Sequence, residues 1–131
     1  MKKAQCLNWD NFRSRNSANP QREFEHMCYL IFCRMFNIPF GLNKYINQAA
    51  IETEPVIIKG RNIAFQAKFY SGKLQDKKKE LISIITQSSE LGINKLLIFT
   101  NLSWGQNNRG RESRAKVEIE SHAQSKEIDL E

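Results

Sequence analysis

An α/β fold with a mixed central sheet flanked by helices follows from three observations. Residues 63 to 70, Ile-Ala-Phe-Gln-Ala-Lys-Phe-Tyr, alternate so that Ile63, Phe65, Ala67 and Phe69 share one strand face and Gln66 and Lys68 share the other. Two longer segments, 21–36 and 76–91, repeat apolar residues at helical spacing. Lys95-Leu96-Leu97-Ile98-Phe99-Thr100 is too short for a helix and nearly all apolar, the pattern of a strand buried on both faces beside a crossover helix. Strands joined by a hairpin run antiparallel and strands joined through a helix run parallel, so the two kinds of connection together predict a mixed sheet.

Residues 1–19 are polar with isolated Trp9 and Phe12, and Asn16-Ser17-Ala18-Asn19-Pro20 reads as a loop that ends at a helix start. Asn19 is the expected N-cap and Pro20 the first helical residue. Over 21–36, Phe24, Met27, Cys28, Ile31, Phe32 and Met35 recur at threes and fours, giving a helix with one broad buried face. Pro39 and Gly41 end it, and 42–46 reads as a first strand. Strands are expected near 53–59 and 62–70, joined by Lys59-Gly60-Arg61-Asn62, which has hairpin-turn composition. Over 76–91, Leu81, Ile82, Ile84, Ile85 and Leu91 mark the second long helix, with Gly92 in the C-terminal stop position. The strand over 95–100 then pairs in parallel, a polar loop covers 101–110, a helix covers 111–124, and Glu127-Ile128-Asp129-Leu130 alternates like a last strand. The expected order is an αβββαβ core followed by a further αβ.

The 131 residues and 15.3 kDa are of single-domain size, enough to bury roughly two-thirds of the unfolded surface around one core. There is no internal repeat or low-complexity linker, and the end of the chain at a strand gives the expectation of a module excised from a longer protein. Twenty basic against 14 acidic residues leave a formal charge of +6, which suits a polyanionic partner. Cys6, Cys28 and Cys33 are odd in number and lack CxxC spacing, and His26 and His122 have no paired histidine nearby, so zinc is not expected. Reduced thiols and the lack of a long apolar stretch or signal-peptide core lead to the expectation of a cytoplasmic protein without membrane insertion. No Ser-His-Asp set, Cys-His pair or phosphate-binding glycine loop is present.

The chemistry concentrates on the hairpin. Ile51-Glu52-Thr53-Glu54-Pro55 puts acids just before the first hairpin strand, and Gln66 and Lys68 lie on the second. A carboxylate, an amide and an amine on adjacent strands supply what a metal-dependent phosphodiesterase requires: a hard oxygen ligand for Mg²⁺, a second oxygen donor, and a cation near the phosphate. One strand face is expected to pack while the Gln66 and Lys68 face stays open to substrate. The alternative reading of that face is simply the wet side of an amphipathic strand.

Gln66-Ala67-Lys68 on a strand, between an acidic strand start at Glu54 and a helix, resembles the PD-(D/E)xK nuclease superfamily, and in particular its Mrr-like restriction endonuclease branch with a Gln-x-Lys motif. The resemblance runs from about Phe24-Glu25 to Gly105, including a buried strand that ends in Thr100-Asn101. It implies a restriction-endonuclease-like fold and a Mg²⁺- or Mn²⁺-dependent endonuclease hydrolysing DNA, in a bacterial or phage-defence setting, with homo-oligomerisation or attached regulatory domains. Glu54 would be the main metal carboxylate and Gln66 a second oxygen ligand. Lys68 would orient water and stabilise charge on the phosphate, and Glu25 would approach from the first helix. Glu54 stands where the family usually has Asp, and Gln66 where many members carry an acid, and Glu52 would restore the missing negative charge. A lysine is ordinarily charged at neutral pH, so the expected role of Lys68 is electrostatic. Arg109, Arg111, Arg114 and Lys116, near Trp104, form the densest basic segment and the expected DNA-backbone contact; Lys77-Lys78-Lys79 is a second basic run. The rival readings are a nucleic-acid-binding module of the same fold without catalysis, and a protein-assembly domain.

Overall fold

A computed structural model describes residues 8–39, 41–42, 50–104 and 113–131. The expected strand over 42–46, apart from Leu42, lies outside these residues, as do Cys6, Arg109 and Arg111. The described elements are α1 (Trp9–Arg15), α2 (Pro20–Met35), β1 (Val56–Ile58), β2 (Arg61–Lys68), a 3₁₀ turn (Leu74–Lys77), α3 (Lys78–Glu90), β3 (Lys95–Thr100), α4 (Arg114–Ser125) and β4 (Asp129–Leu130). They build one four-stranded sheet in the order β1-β2-β3-β4. β1 is antiparallel to β2, with Val56 opposite Ile63. β2 and β3 are parallel from Ile63↔Lys95 to Lys68↔Thr100, and β4 joins parallel to β3. The expected mixed sheet and its two kinds of connection are therefore present.

Helices cover both faces of β2, one lined by Ile63, Phe65 and Ala67 and the other by Ala64 and the buried amide of Gln66. On one side Phe24, Cys28, Phe32 and Cys33 of α2 pack with Ile63, Phe65, Ala67 and Leu97. On the other, Leu81, Ile84 and Ile85 of α3 and Ile119 and Ala123 of α4 pack with Ala64 and Leu96. This corrects the expectation of one open face. Ala64 is fully buried and Gln66 only 2% exposed, since β2 is an interior strand flanked by β1 and β3 rather than half of a solvated hairpin. Lys68, at the strand end, emerges from that face as a half-buried side chain, as does Asn62 at the strand start.

Local chemistry accounts for most boundaries. The Asn19 side chain accepts from the Arg22 N–H at 3.1 Å and Pro20 occupies the first turn of α2. Ahead of the expected loop at 16–20 stands α1, a helix the residue pattern did not mark, capped by Asn8, whose Oδ1 accepts from the Asn11 N–H at 3.1 Å. α1 buries no residue fully, and Trp9 and Phe12 pin it by edge-on contacts to Phe24 and by their contacts with Phe69. Lys59 and Gly60, with φ of 49° and 76°, close the β1-β2 hairpin in the doubly left-handed form that fits two-residue loops. A Cβ at Gly60 would touch nothing within 4 Å, so the penalty of Gly60→Ala is conformational. We expect that variant to lose about 1 kcal/mol, read as a lower urea midpoint; an unchanged midpoint would contradict the turn assignment. Among the described residues no helix is long and apolar enough to cross a membrane.

Candidate functional site

β1 covers only the first residues of β2, so the far half of β2 must satisfy its edge-facing backbone groups elsewhere. Continuing the β1 register would set Glu54 opposite Phe65. Instead the N–H of Glu52 donates to the Phe65 carbonyl at 3.0 Å, so the register slips and Glu54 and Pro55 bulge out between β1 and an isolated bridge at Thr53. Pro55, which has no N–H to donate, sits in that bulge, and the buried Thr53 hydroxyl donates to the Glu54 carbonyl at 3.1 Å. The consequence is a change of carboxylate at the strand: Glu52 Oε1 accepts the Ala67 N–H at 3.1 Å.

Gln21, in the first turn of α2, completes the edge. Its Nε2 donates to the Ala67 carbonyl at 2.9 Å and its Oε1 accepts the Phe69 N–H at 2.8 Å, so one side-chain amide stands in for a missing strand. The same Nε2 donates to Glu25 Oε1 at 2.8 Å, one helical turn on. The N–H and C=O of Ala67 thus tie Glu52 and, through Gln21, Glu25 to the residue between Gln66 and Lys68. Both carboxylates also act on Cys28. Burial first, then the charges of Glu52 and Glu25, push its thiol from 9.0 to about 12.

That shift has a sign and a test. The native chain holds the Cys28 proton where the unfolded thiol has already lost it, so stability falls as pH rises from about 9 to about 12. At pH 8.5 we expect alkylation of Cys28, followed by peptide mass spectrometry, to run roughly 10³-fold slower than for a free thiol. Labelling at the rate of an exposed cysteine would contradict this placement.

Lys68 leaves the strand toward α3, where its Nζ lies 3.4 Å from Glu80 Oε1, with 26% and 44% of the two side chains exposed. Asn101, at the end of β3, clamps the next turn of chain: its Oδ1 accepts the Tyr70 N–H at 2.7 Å and its Nδ2 donates to the Tyr70 carbonyl at 2.9 Å. The site therefore lies at the carboxyl ends of two parallel strands, the position where open α/β sheets bind ligands. The structure brings Glu25, Gln66 and Lys68 to this strand end, with Glu54 in the adjoining bulge. Sequence reasoning missed Gln21 and Glu80. The i, i+4 spacing of Gln21 to Glu25 was a usable signal for the first, and nothing local marks the second.

Of the expected basic segment, Arg114 and Lys116 are among the described residues. Arg114 Nε pairs with Glu118 at 3.0 Å, Lys116 with Glu120 at 3.9 Å, and Lys78 also pairs with Glu118, holding that carboxyl below its usual range. These cations are largely neutralised within α3 and α4. Lys116 also rims a cleft of about 220 Å³, floored by Leu74, Leu81 and Ile119 and bordered by Trp104.

The donors at the strand end are all oxygen, the set a hard divalent cation takes. Among the described residues no three His, Cys, Asp or Glu side chains form a group that could hold a metal, so an amide such as that of Gln66 would have to share the work with the carboxylates. No protein-family model matches this chain, and none of the curated proteins matches it.

Proposed function

We propose that the chain is a divalent-metal-dependent endonuclease domain with a restriction-endonuclease-like fold, cutting DNA at the carboxyl end of β2. The observation that carries this reading is the convergence on Ala67: Glu52 on its N–H, Gln21 on its C=O and Glu25 on the same Gln21 amide, with Gln66 and Lys68 on either side. Gln66 with one or two of the carboxylates of Glu52, Glu54 and Glu25 would hold Mg²⁺ or Mn²⁺, which would supply positive charge and make a water nucleophilic at neutral pH. Lys68 places an ammonium where negative charge develops on the phosphate, and the pairing with Glu80 orients it beforehand. Gln21 holds the strand end rigid, so these side chains do not reorganise when substrate arrives.

Cytoplasmic action and a role as the effector of a defence protein, in an oligomer or attached to further domains, belong to the same proposal. A second reading, DNA binding without catalysis, is favoured by the deep burial of Gln66. Supercoiled plasmid incubated with the chain in Mg²⁺, Mn²⁺ or EDTA separates the two. Nicking that requires metal is the expected result; intact plasmid in every condition, with DNA still bound, would establish the second.

A further inference from the structure

We propose that the backbone of duplex DNA passes over the carboxyl end of β2, held by Arg13 on one face of the sheet and Lys77 on the other. The inference rests on the nuclease reading for what Lys68 does between them, whereas the grip itself requires no cleavage. Arg13, on α1, lies over the Phe69 ring at 5.1 Å, and its Nη2 donates to the Tyr70 carbonyl at 3.2 Å. Lys77, in the 3₁₀ turn, lies over the Tyr70 ring at 5.1 Å. Phe69 packs with the α2 layer and Tyr70 with the α3 layer, so the two cations approach the strand end from opposite sides.

The way these cations are held sets them apart. Arg61 and Lys95 pair with Asp129, Lys78 and Arg114 with Glu118, and Lys116 with Glu120. Among the described residues no carboxylate lies within ion-pair distance of Arg13 or Lys77. An aromatic ring fixes a cation without cancelling its charge, so both remain available to an anion and lose less freedom on binding one. The platform is rigid. Asn101 clamps the Tyr70 backbone, and Trp9 and Phe12 lock α1 onto Phe69. Burial, with Glu80 beside it, pushes the Tyr70 phenol well above its ordinary value, so the ring beneath Lys77 stays neutral. Cations on two layers around one strand end suit an extended polyanion rather than a single small phosphate.

The test is fluorescence anisotropy of a labelled duplex with the full chain in EDTA, across a salt series, so that binding is read without cleavage. Losing two phosphate contacts in Arg13→Gln/Lys77→Gln should flatten the slope of log K against log salt by about 1.8 and weaken binding roughly 30-fold near physiological salt. Arg34→Gln is the control, since Arg34 lies some 20 Å along α2 from Gln21 by helical rise, away from the site. It should leave the slope unchanged. Arg13→Lys/Lys77→Arg keeps both charges and should bind within about threefold of the wild type, which separates lost charge from a disturbed α1. An unchanged slope in the double variant, a loss equal to that in Arg34→Gln, or a larger effect on an RNA duplex than on DNA would overturn the proposal. Absence of nicking with an intact 1.8-unit effect would instead remove the nuclease reading and leave the grip standing.

Discussion

Lys68→Ala is expected to lower DNA cleavage about 10³-fold, equivalent to roughly 4 kcal/mol of transition-state stabilisation, while leaving the fold in place. The size follows from position. Lys68 is the one charged residue of the Gln-Ala-Lys stretch, and it stands where β2 leaves the core, half-buried between solvent and α3. A cation in such a site acts in a medium of lower dielectric than water and is already oriented by Glu80 at 3.4 Å. Stability should change little, because a pair this exposed contributes at most about 1 kcal/mol. Loss of activity with an unchanged urea midpoint is therefore the expected pair of results. Cleavage retained in Lys68→Ala would place the chemistry elsewhere.

Glu52→Ala should fail in two ways at once. It strips the acceptor from the N–H of Ala67, a fully buried residue, and an unsatisfied buried donor costs about 1–3 kcal/mol. For a domain of this size that lowers Tm by roughly 5–10 °C. It also removes a charge from the strand end, and we expect cleavage to fall at least about 10²-fold, the scale of a lost electrostatic contact. Glu52→Gln separates the two effects, since its amide oxygen still accepts the Ala67 N–H. That variant should recover most of the lost Tm and none of the cleavage. Recovery of both would make Glu52 a structural residue only and return the leading carboxylate role to Glu54.

The contrast between Glu52 and Glu54 shows where the fold was legible and where it was not. The alternation of Ile63 to Phe69, the N-cap at Asn19 and the stop at Gly92 each rest on local chemistry, and the elements appear where those signals lie. The slip that brings Glu52 to Phe65 and Ala67 does not. It depends on Pro55 and on how the segment packs, and nothing in the residue pattern announces a bulge before β1. The openness of the Gln66 face was misjudged for a related reason: alternation looks the same whether a strand ends a hairpin or sits between two neighbours. The short, small residues Ala64 and Ala67 were the available sign of close packing on both faces. α1 escaped notice because seven residues with two aromatics make no period, although those aromatics fix Arg13 beside the strand end. The basic residues of α4 were legible as charge, but their pairing with Glu118 and Glu120 required the helix geometry that only the structure supplies.

The central claim is that β2 ends in a metal-dependent nuclease site. It is tested most directly by timing the nicking of supercoiled plasmid in Mn²⁺ and in EDTA, with wild type, Lys68→Ala and Glu52→Gln side by side and each shown to be folded by its melting curve. The account predicts nicking by the wild type in Mn²⁺ alone, and near-complete loss in both variants. Nicking that persists in EDTA, or that survives in either folded variant, would contradict it.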